Sequence, residues 1–409
     1  MNYLRFIRDN RRFLGFGFLL AALSGYGQTY LISLFGGEMR EAFALSNGEF
    51  GLIYSTATLI SGVSLIWLGR LLDRVDLRWF AATVLLGAFL GCLVLAGAQG
   101  ALTLGLAFLL LRVCGQGLMM HTAQTTMARY FREGRGTAIS IATLGLPFGE
   151  GVFPVVLVAV AGWLGWRGTW LGMGAVLVVA VLPLALWLLR GHDERVAAHR
   201  AREASEGCGD DGRAHWRRRD MLRDPRFYGV LPAVMAPPFI MTALFFHQVP
   251  LAAEKGWTLA WLASSFSAFA VTHVAALMLA GPLVDRVGAQ HLLAVFLAPL
   301  ALGLVVLVTG ESRWAAPLYL GCAGLSMGVA GTLMGALWAE LYGTRHLGAI
   351  RALVQALMVL ATALAPGLLG GLLDAGVTVT GAAGFLLAWV VLASVLAGVT
   401  VRRSAVRYA

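Results

Sequence analysis

Residues 69–78 read Gly-Arg-Leu-Leu-Asp-Arg-Val-Asp-Leu-Arg, and residues 281–288 read Gly-Pro-Leu-Val-Asp-Arg-Val-Gly. Each stretch directly follows a long apolar run, and both share a glycine, a leucine two places later and an Asp-Arg pair. A small residue lets two helices approach closely, and an Asp-Arg pair at a membrane edge can change partners when helices rock. One copy would fit a tight polar turn between two helices equally well. Two copies at matched positions indicate an internal repeat that divides the chain into two halves.

The composition around these motifs indicates that the chain folds in a lipid bilayer. Of the 409 residues, 59% are hydrophobic and only 13% are charged, whereas a soluble domain carries about 25% charged residues. A soluble chain of this composition would expose large apolar patches, which soluble monomers rarely tolerate. The 51 glycines agree with this interpretation, because glycine is commoner in membrane helices than in soluble ones.

Twelve apolar runs are each long enough to cross a membrane, since about 20 apolar residues span the hydrocarbon core as a helix. In order, the predicted spans are 13–35, 49–68, 79–99, 102–122, 136–160, 168–189, 227–250, 258–280, 290–310, 314–338, 349–371 and 379–400. We therefore predict an all-α membrane protein of two six-helix bundles. The N-terminal bundle covers residues 1–189, a polar linker loop covers 190–225, and the C-terminal bundle covers 226–409.

The basic residues predict the orientation of the chain. With twelve spans both termini face the same side, and if that side is the cytoplasm it holds 26 of the 31 basic residues. Only Arg40, Arg167, Lys255 and Arg313 face the opposite side, while Arg112 lies inside a span. This excess follows the positive-inside rule. We expect a bacterial-type plasma (inner) membrane protein with cytoplasmic termini, whose basic loops also contact anionic membrane lipids.

Several other classes of protein are disfavoured. The net charge of +10 would suit nucleic acid, but the arginines lie mostly in short gaps between apolar runs, so we predict no nucleic-acid partner. The four cysteines show no CxxC spacing, which predicts neither a metal site nor a disulfide framework. No phosphate-binding GxxxxGK[ST] loop, HExxH or GxSxG motif occurs. We therefore predict no cofactor, no catalytic residue and no enzymatic activity.

The repeated motif resembles the major facilitator superfamily, and the resemblance covers essentially the whole chain. It implies two pseudo-symmetric bundles related by an axis along the membrane normal, a central site and alternating access. Asp76 replaces the glycine that is usual at its position. The residues that match the conformational motif are Gly69, Leu71, Asp73, Arg74 and Arg78 in the first half, and Gly281, Asp285 and Arg286 in the second.

Span 4 carries a second resemblance. The helix-4 signature of the family is an arginine followed by a Gln-Gly pair, and here Arg112 is followed by Gln116 and Gly117 one place late. In the family that arginine is associated with proton coupling or substrate binding. Two further segments, 246–256 and 341–349, weakly resemble the monocarboxylate and oxalate/formate porters.

Two ionisable residues lie near the middle of adjacent spans. Arg112 is about midway along span 4, and Glu150 is about midway along span 5 between Pro147 and Pro154. Such groups cost from about 3 kcal/mol upward in a membrane and mostly face the bundle interior or a cavity. Because a short loop joins these spans, the two groups lie at similar depth. We predict an ion pair or proton-sensitive couple beside the transport path; a purely structural buried salt bridge is the alternative.

Span 1 carries hydroxyl and amide groups near its middle, and lipid offers them no hydrogen-bond partner. The family resemblance places the first helix of each half at the cavity, which implies that Tyr26, Gln28 and Tyr30 contact substrate. Hydrogen bonds between helices are the alternative. Gln116 joins these candidates through the helix-4 signature.

Four further polar residues in the spans are weaker candidates. His247, in the outer half of span 7, is either a packing residue or a cavity group that titrates near neutral pH, and His273 in span 8 has the same two interpretations. Gln355 in span 11 is a further candidate contact. His121, near the cytoplasmic end of span 4, is expected to contact a loop or the membrane interface.

Two functions fit these observations. The first is a proton- or ion-coupled symporter or antiporter for a small organic anion, such as a monocarboxylate, with Arg112 attracting the anion and Glu150 titrating. The second is a proton-coupled efflux pump for cationic or apolar compounds, with Glu150 facing the drug. Its apolar wall would be Phe239, Met241, Phe245, Phe246 and Met327. In both cases the partners are a small-molecule substrate and a coupling ion, and we expect a monomer.

Overall fold

In a computed structural model, the described residues are 3–131, 134–192, 218–343 and 347–408, and within these ranges the chain is helical without a β-strand. Ten of the described helices are long and apolar enough to cross a membrane, and one bent pair adds an eleventh. The helices are Asn47–Leu72, Leu77–Ala96, Ala101–Tyr130, Gly136–Leu188, Pro225–Phe246, Leu259–Val287, Ala289–Thr309, Ala315–Tyr342, Ile350–Asp374 and Val379–Val401, and the bent pair is Arg5–Gly27 with Thr29–Phe43.

The helical stretch Gly136–Leu188 is two spans. Its 53 residues would extend about 80 Å as one helix, far more than the roughly 30 Å hydrocarbon core. At Gly165 the backbone leaves the helical region, with φ 63° and ψ 174°. A Cβ added to Gly17 would lie 2.8 Å from Ala142 Cβ, and one added to Gly15 would lie 3.6 Å from Leu188 Cδ2. Both ends of the stretch therefore lie beside the same end of the first helix, and the chain reverses at Gly165.

With this division the described helices form twelve spans, numbered 1 to 12 in chain order, with the bent pair as span 1. Spans 5 and 6 are the parts of Gly136–Leu188 before and after Gly165. The predicted all-α membrane fold is confirmed. Each span forms where the sequence offers about 20 apolar residues, because only a helix satisfies its own backbone hydrogen bonds in lipid.

The outward faces of the spans carry large apolar side chains. Leu102 is 88% exposed, Val179 is 76% exposed and Phe385 is 69% exposed. In water these surfaces would drive association, whereas in a bilayer they contact acyl chains. Trp79 and Trp163, at the ends of spans 3 and 5, are also exposed, as in the aromatic belts of membrane proteins. The surface therefore matches lipid as the solvent.

The described residues divide into two compact units. Unit 1 contains the described residues within Met1–Glu38 and Thr56–Asp211. Unit 2 contains the described residues within Met39–Ser55 and Gly212–Ala409. The end of span 1 and the start of span 2 thus belong to unit 2, where a Cβ on Gly51 would overlap the backbone of Pro366 in span 11. The predicted domain boundaries stay a prediction. Most of the predicted linker, residues 193–217, lies outside the described residues.

Several predicted helix boundaries are wrong. Span 1, predicted as 13–35, runs from Arg5 to Phe43. Span 4 continues to Tyr130 and span 8 to Val287, so the second copy of the repeated motif forms the last turns of a helix. Span 7 ends at Phe246 and a short helix, Gln248–Glu254, follows. The predicted spans end where the apolar residues end, at the edge of the hydrocarbon core. The helical hydrogen bonds continue beyond that edge into the polar interface. At span 7 the helix ends before the apolar run does.

Candidate functional site

Span 1 is broken near its middle, at the segment where hydroxyl and amide groups were noted. Residues Ser24–Gly27 form a 3-10 turn, and Gln28 is extended with φ −79° and ψ 148° before the helix resumes at Thr29. The two halves are bent by 50°. Gly25 and Gly27 lower the local helix propensity by about 1 kcal/mol each relative to alanine. Broken helices inside a membrane are tolerated where protein or a cavity surrounds them.

Span 4 is also irregular, and it is irregular at the predicted functional arginine. Leu111–Met119 forms a π-helix between the α-helices Ala101–Leu110 and Met120–Tyr130. A π-helix widens the turn and shifts the backbone hydrogen bonds by one residue, and such segments are frequent at functional sites. Arg112 and Gln116 both lie in this segment.

The two irregular segments cross each other backbone to backbone. A Cβ on Gly27 would overlap the carbonyl oxygen of Leu111 and the amide of Gln116. In the reverse direction, a Cβ on Gly115 would lie 2.7 Å from the amide nitrogen of Gly27. Only glycine fits at these positions, because a real Cβ does not approach a backbone atom so closely. The crossing therefore depends on Gly27 and Gly115.

Arg112 lies at the centre of the crossing. Its side chain is buried, with the residue 3% exposed, and its Nη1 donates a hydrogen bond to the carbonyl oxygen of Gly27 at 3.2 Å. Gly27 ends the first half of span 1, and the carbonyl end of a helix attracts positive charge. The broken helix thus supplies one polar backbone partner for this buried cation.

Glu150 approaches the same part of span 1 from span 5. Span 5 packs closely there, since a Cβ on Gly149 would lie 2.9 Å from the carbonyl oxygen of Ala22. Glu150 is 7% exposed, and it lies close to the buried side chain of Tyr30. Arg112 therefore binds the broken region of span 1, Glu150 lies near it, and both make further contacts with described residues. Their mutual ion pair stays a prediction.

The remaining candidates in unit 1 lie on or next to the same two irregular segments. Tyr26 is buried, its hydroxyl lies 3.5 Å from the carbonyl oxygen of Met173, and its ring packs edge-on against Phe153. Gln28 and Gln116 are half-buried. Unit 1 thus brings together the six predicted residues of spans 1, 4 and 5, which are Tyr26, Gln28, Tyr30, Arg112, Gln116 and Glu150.

The other two predicted contacts lie in unit 2. The prediction that His247 lies inside span 7 is wrong. The residue instead caps the carboxyl end of that helix. Its Nδ1 lies 3.0 Å from the carbonyl oxygen of Ala243, and its ring packs edge-on against Phe246. These contacts favour the packing interpretation. Gln355 is exposed on span 11. Any contact of these two residues with substrate stays a prediction.

The first copy of the repeated motif is held by span 4. His121 forms a hydrogen bond with the backbone of Gly69, and Arg129 Nη1 donates to the carbonyl oxygen of Leu72 at 3.3 Å. Asp76, which replaces the usual glycine, accepts a hydrogen bond from the amide of Arg78 at 2.8 Å and so caps span 3. His121 therefore lies beside the 3-10 turn Gly69–Asp73 at the end of span 2, and its role stays a prediction.

The other described residues that match the repeated motif are exposed or half-buried. Arg74 is exposed and Arg78 is half-buried, whereas the side chain of Asp73 lies outside the described residues. In the second copy Gly281 is half-buried, and Asp285 and Arg286 are exposed in the last turn of span 8. Gly288, with φ 82°, ends that helix in a conformation that favours glycine. The switching role of the motif stays a prediction.

Three acidic residues of unit 2 were missed by the sequence analysis. Each lies at or near the carboxyl end of one helix and accepts hydrogen bonds from the first amides of another span. Glu254 binds Val379 and Thr380 of span 12, Glu340 binds Ala289 and Gln290 of span 9, and Asp374 binds Asn47 and Gly48 of span 2. An acid at a carboxyl terminus is unfavourable for its own helix. That mismatch was the available signal of a partner elsewhere.

Among the described residues, no group of three or more His, Cys, Asp or Glu side chains could hold a metal ion. Cys92, Cys114 and Cys322 carry free thiols, and Cys208 lies outside the described residues. The chemistry available at the crossing is therefore that of one buried cation, one buried carboxyl group, two tyrosines and two amides.

Known proteins resemble this chain in sequence pattern and in fold. The model of the Major Facilitator Superfamily matches residues 17–366, and no curated protein matches. A bacterial homologue of the human lysosomal transporter Spinster, inward-facing and unoccupied, is 14% identical with a TM-score of 0.63, covering 96% of this chain and 97% of that chain. A variant of the nucleoside transporter NupG is 11% identical with a TM-score of 0.70, covering 96% and 98%. At these identities the structural likeness shows the fold alone.

Proposed function

The chain belongs to the major facilitator superfamily and is a membrane transporter, and we propose that it moves a small organic anion, such as a monocarboxylate, by alternating access coupled to protons or an ion gradient. The observation that carries the proposal is the buried Arg112 at the crossing of two irregular helices. Transporters of several folds bind substrate where helices are interrupted within the membrane. A cation at such a place attracts an anion.

The charge of Arg112 argues for a role beyond packing. An isolated arginine in a membrane span costs from about 3 kcal/mol upward, and a well-packed apolar residue of similar volume often stabilises a protein as well or better. Glycines at both crossing points and a π-helix further weaken the local helices. Together these features lower the stability of the region, and their presence at one place supports a functional site.

Glu150 is the group that we assign to coupling. It is a buried carboxyl group beside the same segment of span 1, where protonation removes its charge and changes its attraction to neighbouring polar groups. A carboxyl group that titrates near a substrate site can link substrate movement to protons. Symport and antiport both remain compatible with this assignment.

The competing function, efflux of apolar or cationic compounds, receives less support from unit 2. Of the residues assigned to its apolar wall, Phe245 packs against Phe266 and Phe269 at 5.1 and 5.4 Å between ring centroids. Phe239 packs against Trp389 at 5.1 Å. Met241 and Phe246 are also buried. These side chains stabilise unit 2 through mutual contacts, which is an ordinary role for core residues.

The topology is part of the proposal. We propose a monomer in a bacterial-type inner membrane with both termini in the cytoplasm, because most of the arginines then face the cytoplasm. Reporter tags fused to the two termini should report the same, cytoplasmic side. Tags that map to opposite faces would contradict an even number of spans.

Uptake of labelled carboxylates into proteoliposomes under an imposed pH gradient tests the function. We expect Arg112→Ala to abolish uptake while the protein still inserts in the membrane. The matched control is Arg167→Ala, which removes an arginine that also binds backbone carbonyls, those of Ala96 and Ala98, but at the ends of spans. This control should retain uptake per folded molecule.

Two outcomes would overturn the proposal. Near-normal uptake by Arg112→Ala would remove this arginine from the mechanism. No carboxylate uptake by the unaltered protein, together with resistance of expressing cells to lipophilic cations, would favour the efflux function.

A further inference from the structure

A cavity of about 730 Å³ lies at the end of unit 1 where span 1 begins and span 6 ends. It is separate from the crossing of spans 1 and 4 along the chain and in its lining. Four arginines line it. Three lie within residues 8–12 of span 1, about one and a half helical turns, and the fourth lies two residues after the end of span 6. They are Arg8, Arg11, Arg12 and Arg190.

The described lining of the cavity contains four arginines and one aspartate, so its positive charge exceeds its negative charge. Asp9 is the acidic residue of the described lining, and it interacts with Arg8 at 3.4 Å and with Arg5 at 3.7 Å. The side chains of Arg11 and Arg190 form no hydrogen bond or ion pair with any residue that the structure describes. Like charges that share a cavity repel each other, so an anion from outside the protein would be stabilised there.

The local fold fixes the backbone turn that carries Arg190. Gly191, with φ 81°, turns the chain after span 6, where the amide of Arg190 donates to the carbonyl oxygen of Trp187 at 3.2 Å and that of His192 donates to Leu189 at 3.1 Å. His192 is buried and its ring stacks on Phe13 at 5.6 Å between ring centroids. The turn is therefore fixed to span 1, and Arg190 faces the same cavity as Arg11.

The position of the cavity points to the membrane interface. The Arg12 guanidinium lies over the ring of Trp187, 4.9 Å from its centroid, and Trp187 is 42% exposed. Tryptophan is enriched at the level of lipid headgroups, and basic pockets between membrane helices bind anionic headgroups. Arginine also binds phosphate oxygens in a bidentate manner.

We propose that this cavity binds a phosphate-bearing anion through Arg11, Arg12 and Arg190. A phospholipid headgroup or a free phosphate compound carries the same group, and the experiment separates the two sources. The site does not depend on the proposed transport function, because it uses none of the residues at the crossing of spans 1 and 4.

The test uses the full-length protein in mixed micelles. One arm titrates phosphatidylglycerol against a phosphatidylcholine background, and the other titrates inorganic phosphate. Binding is read by native mass spectrometry and by the ligand-induced rise in the apparent unfolding temperature. The variant carries Arg11→Gln and Arg190→Gln. The matched control carries Arg219→Gln and Arg223→Gln, two exposed arginines before span 7, which changes the net charge equally.

We expect the cavity variant to weaken binding of the phosphate-bearing ligand by about tenfold or more, as the loss of charge-assisted hydrogen bonds implies, and the control to bind as the unaltered protein does. Loss confined to the lipid arm assigns a headgroup, and loss in the phosphate arm assigns a free phosphate compound. Equal weakening by both double variants would overturn the proposal, because general attraction to a basic face would then explain the binding. No binding of either ligand would overturn it as well. The single variant Arg11→Gln repeats the test should the double variant unfold.

Discussion

Among the places where spans approach each other at glycines, one crossing in each unit shows a different backbone. In unit 1 spans 1 and 4 cross at Gly27 and Gly115 with a 3-10 turn against a π-helix. In unit 2 spans 8 and 10 cross at Gly324 and Gly328, where an added Cβ would overlap the carbonyl oxygens of Phe269 and His273. There both helices stay α-helical from Leu259 to Val287 and from Ala315 to Tyr342.

The difference shows that close approach does not by itself require a broken helix. Glycines three or four residues apart let two regular helices touch in a membrane. Unit 2 uses that solution with apolar neighbours, the buried His273 and Thr272, whose hydroxyl donates to its own helix. Unit 1 places a buried arginine at its crossing and gives it a carbonyl oxygen of the broken helix. The irregular backbone thus accompanies the buried charge, which is why we place the functional site in unit 1.

Substitution of alanine for one glycine at each crossing tests this comparison with the largest expected effect. Gly27→Ala and Gly328→Ala each force a methyl group against a carbonyl oxygen, and overpacking of this kind typically destabilises by about 1–3 kcal/mol. Both should therefore lower the apparent unfolding temperature in detergent. Only Gly27→Ala should also stop uptake per folded molecule, because it displaces the carbonyl group that binds Arg112.

Uptake measured against the amount of folded protein, from size-exclusion chromatography, separates the two effects. If Gly27→Ala transports normally once corrected for folding, the irregular crossing is structural. If Gly328→Ala stops transport as completely, the two crossings do not differ in function and the comparison fails.

A second comparison uses one carboxyl group from each unit. Glu150→Gln keeps the size of the side chain but removes its ability to release a proton, so uptake driven by a pH gradient should fall by about tenfold or more, an effect of about 1.4 kcal/mol per factor of ten. Exchange of labelled for unlabelled substrate without a gradient should persist. Glu340→Gln, which alters the cap of span 9, serves as the control and should keep both activities.

Equal sensitivity of uptake and exchange to Glu150→Gln would contradict the coupling role. It would instead place this carboxyl group in substrate binding or in the packing of spans 1 and 5.

The spans and their number followed from the sequence because the cause is local. A run of about 20 apolar residues has one stable arrangement in lipid, and isolated charges such as Arg112 stand out inside it. The positions of Arg112 and Glu150 near the middle of spans 4 and 5 were predicted for the same reason. Helix ends were less predictable, because span 8 continues through charged residues up to Val287 once these reach the polar interface.

The irregular backbone could not be predicted because its cause is tertiary. Gly115 and Gly117 are compatible with an ordinary packed helix, and only the contact with span 1 distinguishes the π-helix from it. The break at Gln28 likewise depends on which segment faces Leu111. The end of span 7 depends on His247, whose ring binds the helix carboxyl end instead of entering the span.

The acidic caps of unit 2 give the smallest expected effect. Glu254 accepts hydrogen bonds from the amides of Val379 at 2.7 Å and Thr380 at 3.1 Å, so Glu254→Gln removes a negative charge from the positive end of span 12 and should lower the free energy of unfolding by about 1 kcal/mol. Transport should be unchanged. Glu311→Gln is the control, since Glu311 is exposed and forms no hydrogen bond with a described residue. Equal apparent unfolding temperatures for the two variants would mean that unit 2 gains no stability from this cap.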